Sequence, residues 1–538
     1  MKKKNSFLLK VIGVTLLGLV FILGLSGCNN ETTNADGTIT ITIFDQNTLA
    51  SNFGDDRIAQ RILEETGVNI QVYNSTGDAQ QLLSLMLASG DLPDIVFLDR
   101  RTDLIARFSE AGVLVPLNDL IDNYMPNVAE MYAGILQQDT WIDGNNYVLA
   151  NWYGQHDSPS TAVLMRMDYL TEIVGEERAT SAEPFTQTEL IEILHQFRQN
   201  HPEVNGLPTI GMMMFQINGL DQNHAIEGMF GLRTFYNMNN GDLGWRMRDP
   251  QYLEMMKFLN ELNRESLLDP EWVSTSWDTV DQGLSQGHVF GAFVGSYGQA
   301  LVANTVLAQT VGPEAQFMPF KVLGNNVGPD DTTFGGRGTM GWDAAGITTS
   351  ADPSNHEAIA RVIDFLASRE GQTLMLWGIE GEDFTITENG AFIPTQEVLD
   401  AFAANFEQAR AETGIGRWNW FVNQQGPNPY TPFRMHDYAT FNTPLSTMAR
   451  QNLVNTMWDT SVYQGLLPEG NTMLGMRTQQ IIDIFLAAIP RMVMASSQEE
   501  LIEIYNETID AMETAGLQEV EEVLNQNWHQ RRVLWGLE

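Results

Sequence analysis

Between Thr38 and Asp99 two patterns alternate, and that alternation restricts the fold more than any other feature of the chain. "TITITIF" (Thr38 to Phe44) alternates polar and apolar residues as a half-buried strand does. "DRIAQRILEETG" (Asp56 to Gly67) carries apolar residues at helical spacing, with a glycine placed to end the helix. "VNIQVYN" reads as a second strand and "DAQQLLSLMLASG" as a second helix stopped by Gly90. "DIVFLD" (Asp94 to Asp99) is an apolar third strand. Strand, helix, strand, helix, strand at this spacing predicts a parallel α/β sheet built with crossover helices. Ligands of such sheets lie beyond the carboxyl ends of the strands, which places Asp45, Asp99 and Arg100 near a site.

The later chain reads as mainly helical with short strands. Pro250 to Pro270 forms a long amphipathic helix ended by Asp269-Pro270, and His288 to Gly295 ("HVFGAFVG") a strand. Asn355 to Gly371 is a helix capped by Asn355, and the acidic stretch from Ser497 to Leu524 is helical. The chain has no internal repeat and no low-complexity linker. Lobes that exchange segments more than once would produce such a chain.

The single cysteine, Cys28, closes a distinctive leader. Lys2, Lys3, Lys4 and Lys10 precede an apolar run from Val11 to Leu25, the length of a signal-peptide core and short for a membrane span. Leu25-Ser26-Gly27-Cys28 follows and resembles the lipobox of bacterial lipoproteins. That resemblance implies removal of residues 1–27, diacylglyceryl and palmitate attachment at Cys28, and a polar tether over 28–37. The mature chain would sit on the extracytoplasmic face of the membrane of a Gram-positive-type cell. An uncleaved anchor helix that happens to end in a cysteine is the plainer alternative.

About 510 residues would remain, too many for one core, so two or more domains are expected. Loss of the four leader lysines takes the formal charge from −39 to −43 and leaves only Lys257 and Lys321. A surface this negative repels phosphate backbones, so nucleic acid is excluded as a partner.

Several segments resemble the family-one extracellular solute-binding proteins, the sugar receptors of ABC importers. "LASGDLPDIVFLDR" (Leu87 to Arg100) resembles the family signature, and "VLMRMDYLTEIVG" (Val163 to Gly175) its strand-to-helix segment. "PFTQTELIEILHQF", "FLNELNRESLLDPE" and "LSQGHVFGAFVGSYG" follow in the family's order. "ADPSNHEAIARVIDFLASREGQTLMLWGIEGEDFTI" (Ala351 to Ile386) is close to its large lipoprotein branch. The resemblance implies a two-lobe periplasmic-binding-protein type II fold with a hinge and an interlobe ligand cleft. By motif order, lobe one takes about 36–152 plus 342–378, and lobe two 153–341 plus 379–538. It further implies a monomer that captures a carbohydrate by closure and hands it to membrane permeases, without catalysis or cofactor. One departure concerns the loop "NHPEVNGLPTIG" (Asn200 to Gly211), where branch members often carry a calcium-type loop. Glu203 is its only acid, too few carboxylates for calcium, so no metal site is carried over.

An enzyme is the competing reading. Gly283-Leu284-Ser285-Gln286-Gly287 fits G-x-S-x-G, but a nucleophile elbow needs a strand before the serine and a helix after it. Here a helical stretch precedes and a strand follows, so Ser285 belongs to a helix-ending turn with Gly287 as the terminating glycine. The eight histidines are scattered and form no H-E-x-x-H. A paired-carboxylate glycosidase and a ligand-sensing lipoprotein on the same fold stay open as alternatives.

Sugar rings pack a C–H face on aromatic side chains, and the resemblance marks Tyr297, just after the strand "HVFGAFVG", as the position of a sugar-stacking aromatic. Trp152 and Tyr153 at the expected lobe crossing, Trp342 at the return, and Trp418 and Trp420 in a later loop complete the aromatic set. Asp45, Asp99 and Arg100 are its polar partners, and Arg166 and Arg337 the further basic residues to watch. Any single aromatic is more at home in a core than on a ligand, and the set at lobe junctions is what points to function.

Overall fold

The computed structural model describes residues 38–45, 56–73, 78–100, 104–139, 144–154, 161–214, 225–337, 341, 343–468 and 472–537. Cys28, the leader, the tether and Trp342 lie outside them. Nine strands build two sheets: β1 (Ile39–Phe44), β2 (Val68–Tyr73), β3 (Ile95–Asp99), β4 (Leu149–Ala150), β5 (Ala162–Arg166), β6 (Ile210–Met214), β7 (Val289–Val294), β8 (Phe317–Phe320) and β9 (Asp343–Ile347).

The first sheet has the order β2-β1-β3-β9-β4. Its opening follows from local chemistry. The helix Arg57–Thr66 starts because Asp56 accepts the Ala59 N–H at 2.9 Å, and stops at Gly67, whose φ of 72° suits a residue without Cβ. Asp78 caps the helix Ala79–Ser89 in the same way. β1 then pairs in parallel with β2 from Ile39 opposite Val68 to Phe44 opposite Tyr73, and with β3 on its other side. β9 returns antiparallel beside β3, which sets Asp343 opposite Asp99 and Ile347 opposite Ile95. The second sheet has the order β6-β7-β5-β8. β7 runs parallel to β6 and antiparallel to β5, with Val294 opposite Ala162, and β8 sets Phe320 opposite Val163.

Each sheet has its own core, so the molecule is two-lobed. Ile41, Ile43, Phe97, Ile359 and Ile363 belong to one cluster, and Leu164, Phe258, Phe293 and Phe485 to the other. The segment expected in lobe two from residue 379 divides instead. Phe384, Phe392, Ile415, Phe421 and Met435 pack in the first core, and only from Leu445 onward does the chain join the second. The chain therefore passes between the cores at 150–162, 320–343 and 435–445.

Three expected helices are shorter or split. The one from Pro250 ends at Arg264, because Ser266 takes a φ of 56° and Leu267 turns its carbonyl to the Met212 N–H at 2.8 Å. The one after Asn355 runs His356–Ala367 and restarts at Arg369, capped by Ser368, whose hydroxyl accepts the Gly371 N–H at 3.0 Å. Asn355 itself makes no side-chain cap. The acidic tail breaks at Gly516, φ 102°, into Gln498–Thr514 and Leu517–Leu534. No helix among the described residues is long and apolar enough to cross a membrane.

Candidate functional site between the lobes

Connectivity decides which sheet ends face each other. The first two crossings leave the first sheet at Ala150 and re-enter it at Asp343, both at the end where β1 and β3 terminate. They meet the second sheet at Ala162 and Phe320, both at the end where β7 terminates in Val294. Asp45, Asp99, Arg100 and Asp343 therefore stand on one side, and Tyr297 on the other.

The first side is buried and polar. Asp45 is 3% exposed, Asp99 7% and Asp343 wholly covered. Asp45 accepts the Trp420 indole N–H at 2.8 Å, and Asp56 accepts that of Trp418 at 3.1 Å. Trp420 stacks on Phe97 with centroids 5.5 Å apart, and Trp418 meets Trp420 edge-on at 5.3 Å. Both rings are 1% exposed and belong to the first core, so they present no face to a ligand in this conformation. Trp152 lies edge-on to Phe433 at 5.8 Å, with the Arg434 guanidinium 5.7 Å from its ring centre. Tyr153 packs 4.1 Å from Tyr132. Burial drives its phenol pKa well above the ordinary value, and among the described residues its hydroxyl has no partner. Four of the expected platforms are thus interior rings that hold the junction together.

Arg100 is half-buried and lies within electrostatic reach of Arg531 on the last helix. Burial, and then the like charge of Arg100, lowers the Arg531 pKa to about 10, while its Nη1 donates to the Val462 carbonyl at 3.1 Å and to that of Gln464. Arg166 sits at the far end of the second sheet. Its Nη1 donates to the Gly287 carbonyl at 2.6 Å, Nη2 to Asp168 at 2.9 Å, and it is 1% exposed, so it does not face the cleft. Arg337 contributes backbone to a short strand paired with Met457–Asp459.

The second side leaves its rings partly exposed, with Tyr297 also packed against the second core. Tyr297 is partly exposed in the turn after β7. The helix Trp277–Ser285 runs back along β7, so its first residue returns to the same end, and the Gln299 amide donates to Asp281 on that helix at 2.7 Å. Trp277, 40% exposed, opens that helix one turn before Asp281. The sequence reading missed it, although Ser276 beside it is a recognisable N-cap whose hydroxyl accepts the Thr279 N–H. Trp458 belongs to a satellite cluster with Phe235, Tyr463 and Leu524. It is partly exposed on the strand Met457–Asp459, 5.7 Å from Tyr463, which in turn stacks on Trp528 at 5.8 Å.

Ser285 ends its helix with its hydroxyl donating to the Asp281 carbonyl at 3.0 Å, and Gly287 follows with a φ of 83°. A serine folded back onto its own helix is not an elbow nucleophile. The loop after Asn200 forms a hairpin of Glu203–Val204 with Leu207–Pro208, turned by Asn205 and Gly206 at φ 56° and 77°. These angles belong to a type I′ turn, for which Asn-Gly is the favoured pair.

A two-lobed α/β chain with its sheet ends facing across three crossings is the architecture of a hinge-closing receptor. Residues 50–373 match the family described as bacterial extracellular solute-binding protein, and the chain belongs to that family. It is 27% identical over 249 residues to the fructooligosaccharide ABC transporter substrate-binding protein FusA of Streptococcus pneumoniae, a match covering 43% of this chain and 44% of that relative. An extracellular solute-binding protein of Bifidobacterium longum subsp. infantis shares the fold with a TM-score of 0.69 at 17% identity, over 93% of this chain and 100% of that one. FusA of S. pneumoniae in complex with kestose aligns at 0.57 and 19% identity, over 92% and 99%.

Proposed function

We propose that the protein is a lipid-anchored receptor of an ABC importer, which captures a neutral oligosaccharide between its lobes and delivers it to membrane permeases as a monomer. The observation that carries this reading is the partly exposed pair Tyr297 and Trp277 at the end of the second sheet opposite the polar end of the first. Aromatic faces pack on sugar C–H faces, and Asp99 and Arg100 supply hydroxyl partners. Trp342, at the return crossing, belongs to the same set. The relatives named for fructooligosaccharide and kestose support carbohydrate as the ligand class. A net charge of −43 on the mature chain favours an uncharged sugar over a polyanion. Cys28 holds the receptor at the outer membrane face, and Cys28→Ala releases it from the membrane fraction.

A fructooligosaccharide panel screened by thermal shift tests the ligand class, since a ligand of the folded state raises the melting temperature. Small-angle scattering tests closure with the best ligand, through a smaller radius of gyration at saturation. A raised melting temperature with an unchanged radius would retain binding and reject closure. No shift with any neutral oligosaccharide would reject the ligand class.

A further inference from the structure

Three chain crossings join the lobes, and contacts from all three converge on one residue, Trp152. It stands in the first crossing and is 7% exposed. Its strand, Trp152–Tyr153, is held to the first lobe by pairing with Val422–Asn423. The Val422 N–H donates to the Asn151 carbonyl at 2.7 Å, and the Gln424 N–H to that of Tyr153 at 2.9 Å. Gly154 follows at once, with a φ of 80°.

The second crossing reaches Trp152 through Gly341, whose φ is 58°. A Cβ at that position would stand 2.8 Å from the Trp152 Cβ and 2.9 Å from its carbonyl oxygen. Neither atom can shift without moving the first crossing itself, so only glycine lets the two crossings lie this close. The Asn151 N–H also donates to the Asp343 carbonyl at 2.8 Å, which ties the same two crossings where they meet the first sheet. From the third crossing, Phe433 meets the Trp152 ring edge-on with centroids 5.8 Å apart. The Arg434 guanidinium lies 5.7 Å from the ring centre, inside the roughly 6 Å over which a ring attracts a cation. Asp437, on that crossing, fixes Arg434 in turn, accepting Nε at 2.7 Å and Nη2 at 3.2 Å.

We propose that Trp152 is the pivot of closure, a positioning residue that touches no ligand and sets the balance between the open and closed receptor. The pivot rests on the closure proposed above. Lobes joined by three crossings rotate only if all three move together, and a few residues at element ends absorb the change in φ and ψ. Trp152 is fixed to the first lobe by its strand pairing and its core contacts, so the second and third crossings turn against it as the second lobe swings. Gly154 and Gly341 bracket the contact and are the residues best able to take up that rotation. A contact shared by all three crossings differs between the two forms, so altering it shifts their populations. A covered ring at a lobe junction then has a task other than sugar stacking.

The chain from residue 29 onward contains no cysteine, so Gln80→Cys and Val302→Cys place one spin label on each lobe. Both positions lie in the first turn of helices that begin at the cleft ends of the two sheets. Pulsed dipolar spectroscopy then reads the open and closed populations, without ligand and with each fructooligosaccharide of the panel. Trp152→Phe and Gly341→Ala should each change the ligand-free ratio of the two by about 2- to 30-fold. Sugar affinity should move in the direction of the closed fraction. Arg434→Gln should shift the ratio in the same direction as Trp152→Phe and, being partly exposed, carries the test if the interior variants fail to fold. Wild-type ligand-free distributions in the folded variants overturn the pivot. Lost affinity beside such distributions does so by making Trp152 a sugar contact, and closure then stands if sugar still shortens the wild-type distance. If no sugar alters that distance, closure itself falls and the pivot with it.

Discussion

The two sheet ends that face each other across the cleft treat their aromatic residues in opposite ways. On the first, Trp418 and Trp420 are 1% exposed and spend their indole N–H groups on Asp56 and Asp45. On the second, Trp277 is 40% exposed and Tyr297 lies partly open beside it. The difference teaches that nearness to the junction does not make a ring a ligand platform. A ring that anchors a buried carboxylate is fixed in place and lends rigidity, whereas the ring at the helix start beyond a strand end stays 40% exposed. In the proposed site the first lobe brings polar groups held by packed tryptophans, and the second brings the apolar faces.

Trp420→Ala breaks that division most severely. It empties a fully buried ring site against Phe97 and removes one hydrogen bond from the buried Asp45 carboxylate. Losses of about 3–5 kcal/mol are usual for such truncations. Chemical denaturation should register that loss, and Trp420→Phe should recover the packing share of it but not the hydrogen bond. A stable Trp420→Ala protein that no longer binds sugar would reverse the assignment and return this ring to the ligand.

Acid should also weaken the first lobe through His436, which lies where the chain leaves that lobe for the third crossing. Burial, reinforced by Arg434 and Arg410 against the opposing Asp437, lowers its pKa from 6.5 to about 4. Between those values the unfolded chain holds more protons than the folded protein at this residue, so stability is complete above pH 6.5 and falls as pH drops toward 4. The full contribution is about 3 kcal/mol. Denaturation midpoints between pH 7 and 4 should fall less steeply in His436→Gln than in the wild type, and equal slopes would contradict a neutral buried ring.

Legibility in the sequence followed the range of the interactions involved. The opening β–α–β–α–β run was readable because Asp56, Gly67, Asp78 and Gly90 act within four residues of themselves. The end of the Pro250 helix was not, since it is set by Leu267 pairing with Met212, more than fifty residues earlier. Ser368 sat inside an apolar helical pattern that concealed its role as a cap. Trp418 and Trp420 looked like loop aromatics because the carboxylates that bury them lie 362 and 375 residues upstream. Asp99 and Arg100 were placed correctly at a strand end, because the parallel-sheet rule needs only local pattern. The split of residues 379–538 between the cores was hidden for the same reason as the tryptophans: its apolar residues match either core equally well.

The smallest effect in free energy is the sharpest test of the comparison. Trp277→Ala removes an exposed ring from a helix start whose cap, Ser276, is untouched, so folding stability should change by no more than about 0.5 kcal/mol. Sugar affinity should nevertheless fall by about 1–3 kcal/mol, the worth of one aromatic contact desolvated on closure, or roughly 5- to 150-fold in Kd. Tyr297→Ala should fall in the same range. The double variant should lose less than the sum of the single losses if one sugar unit spans both rings. Strict additivity would instead give each ring its own sugar unit and lengthen the ligand. Titration calorimetry with the best oligosaccharide of the panel distinguishes the two, and wild-type affinity in both single variants would remove the second sheet end from the binding site altogether.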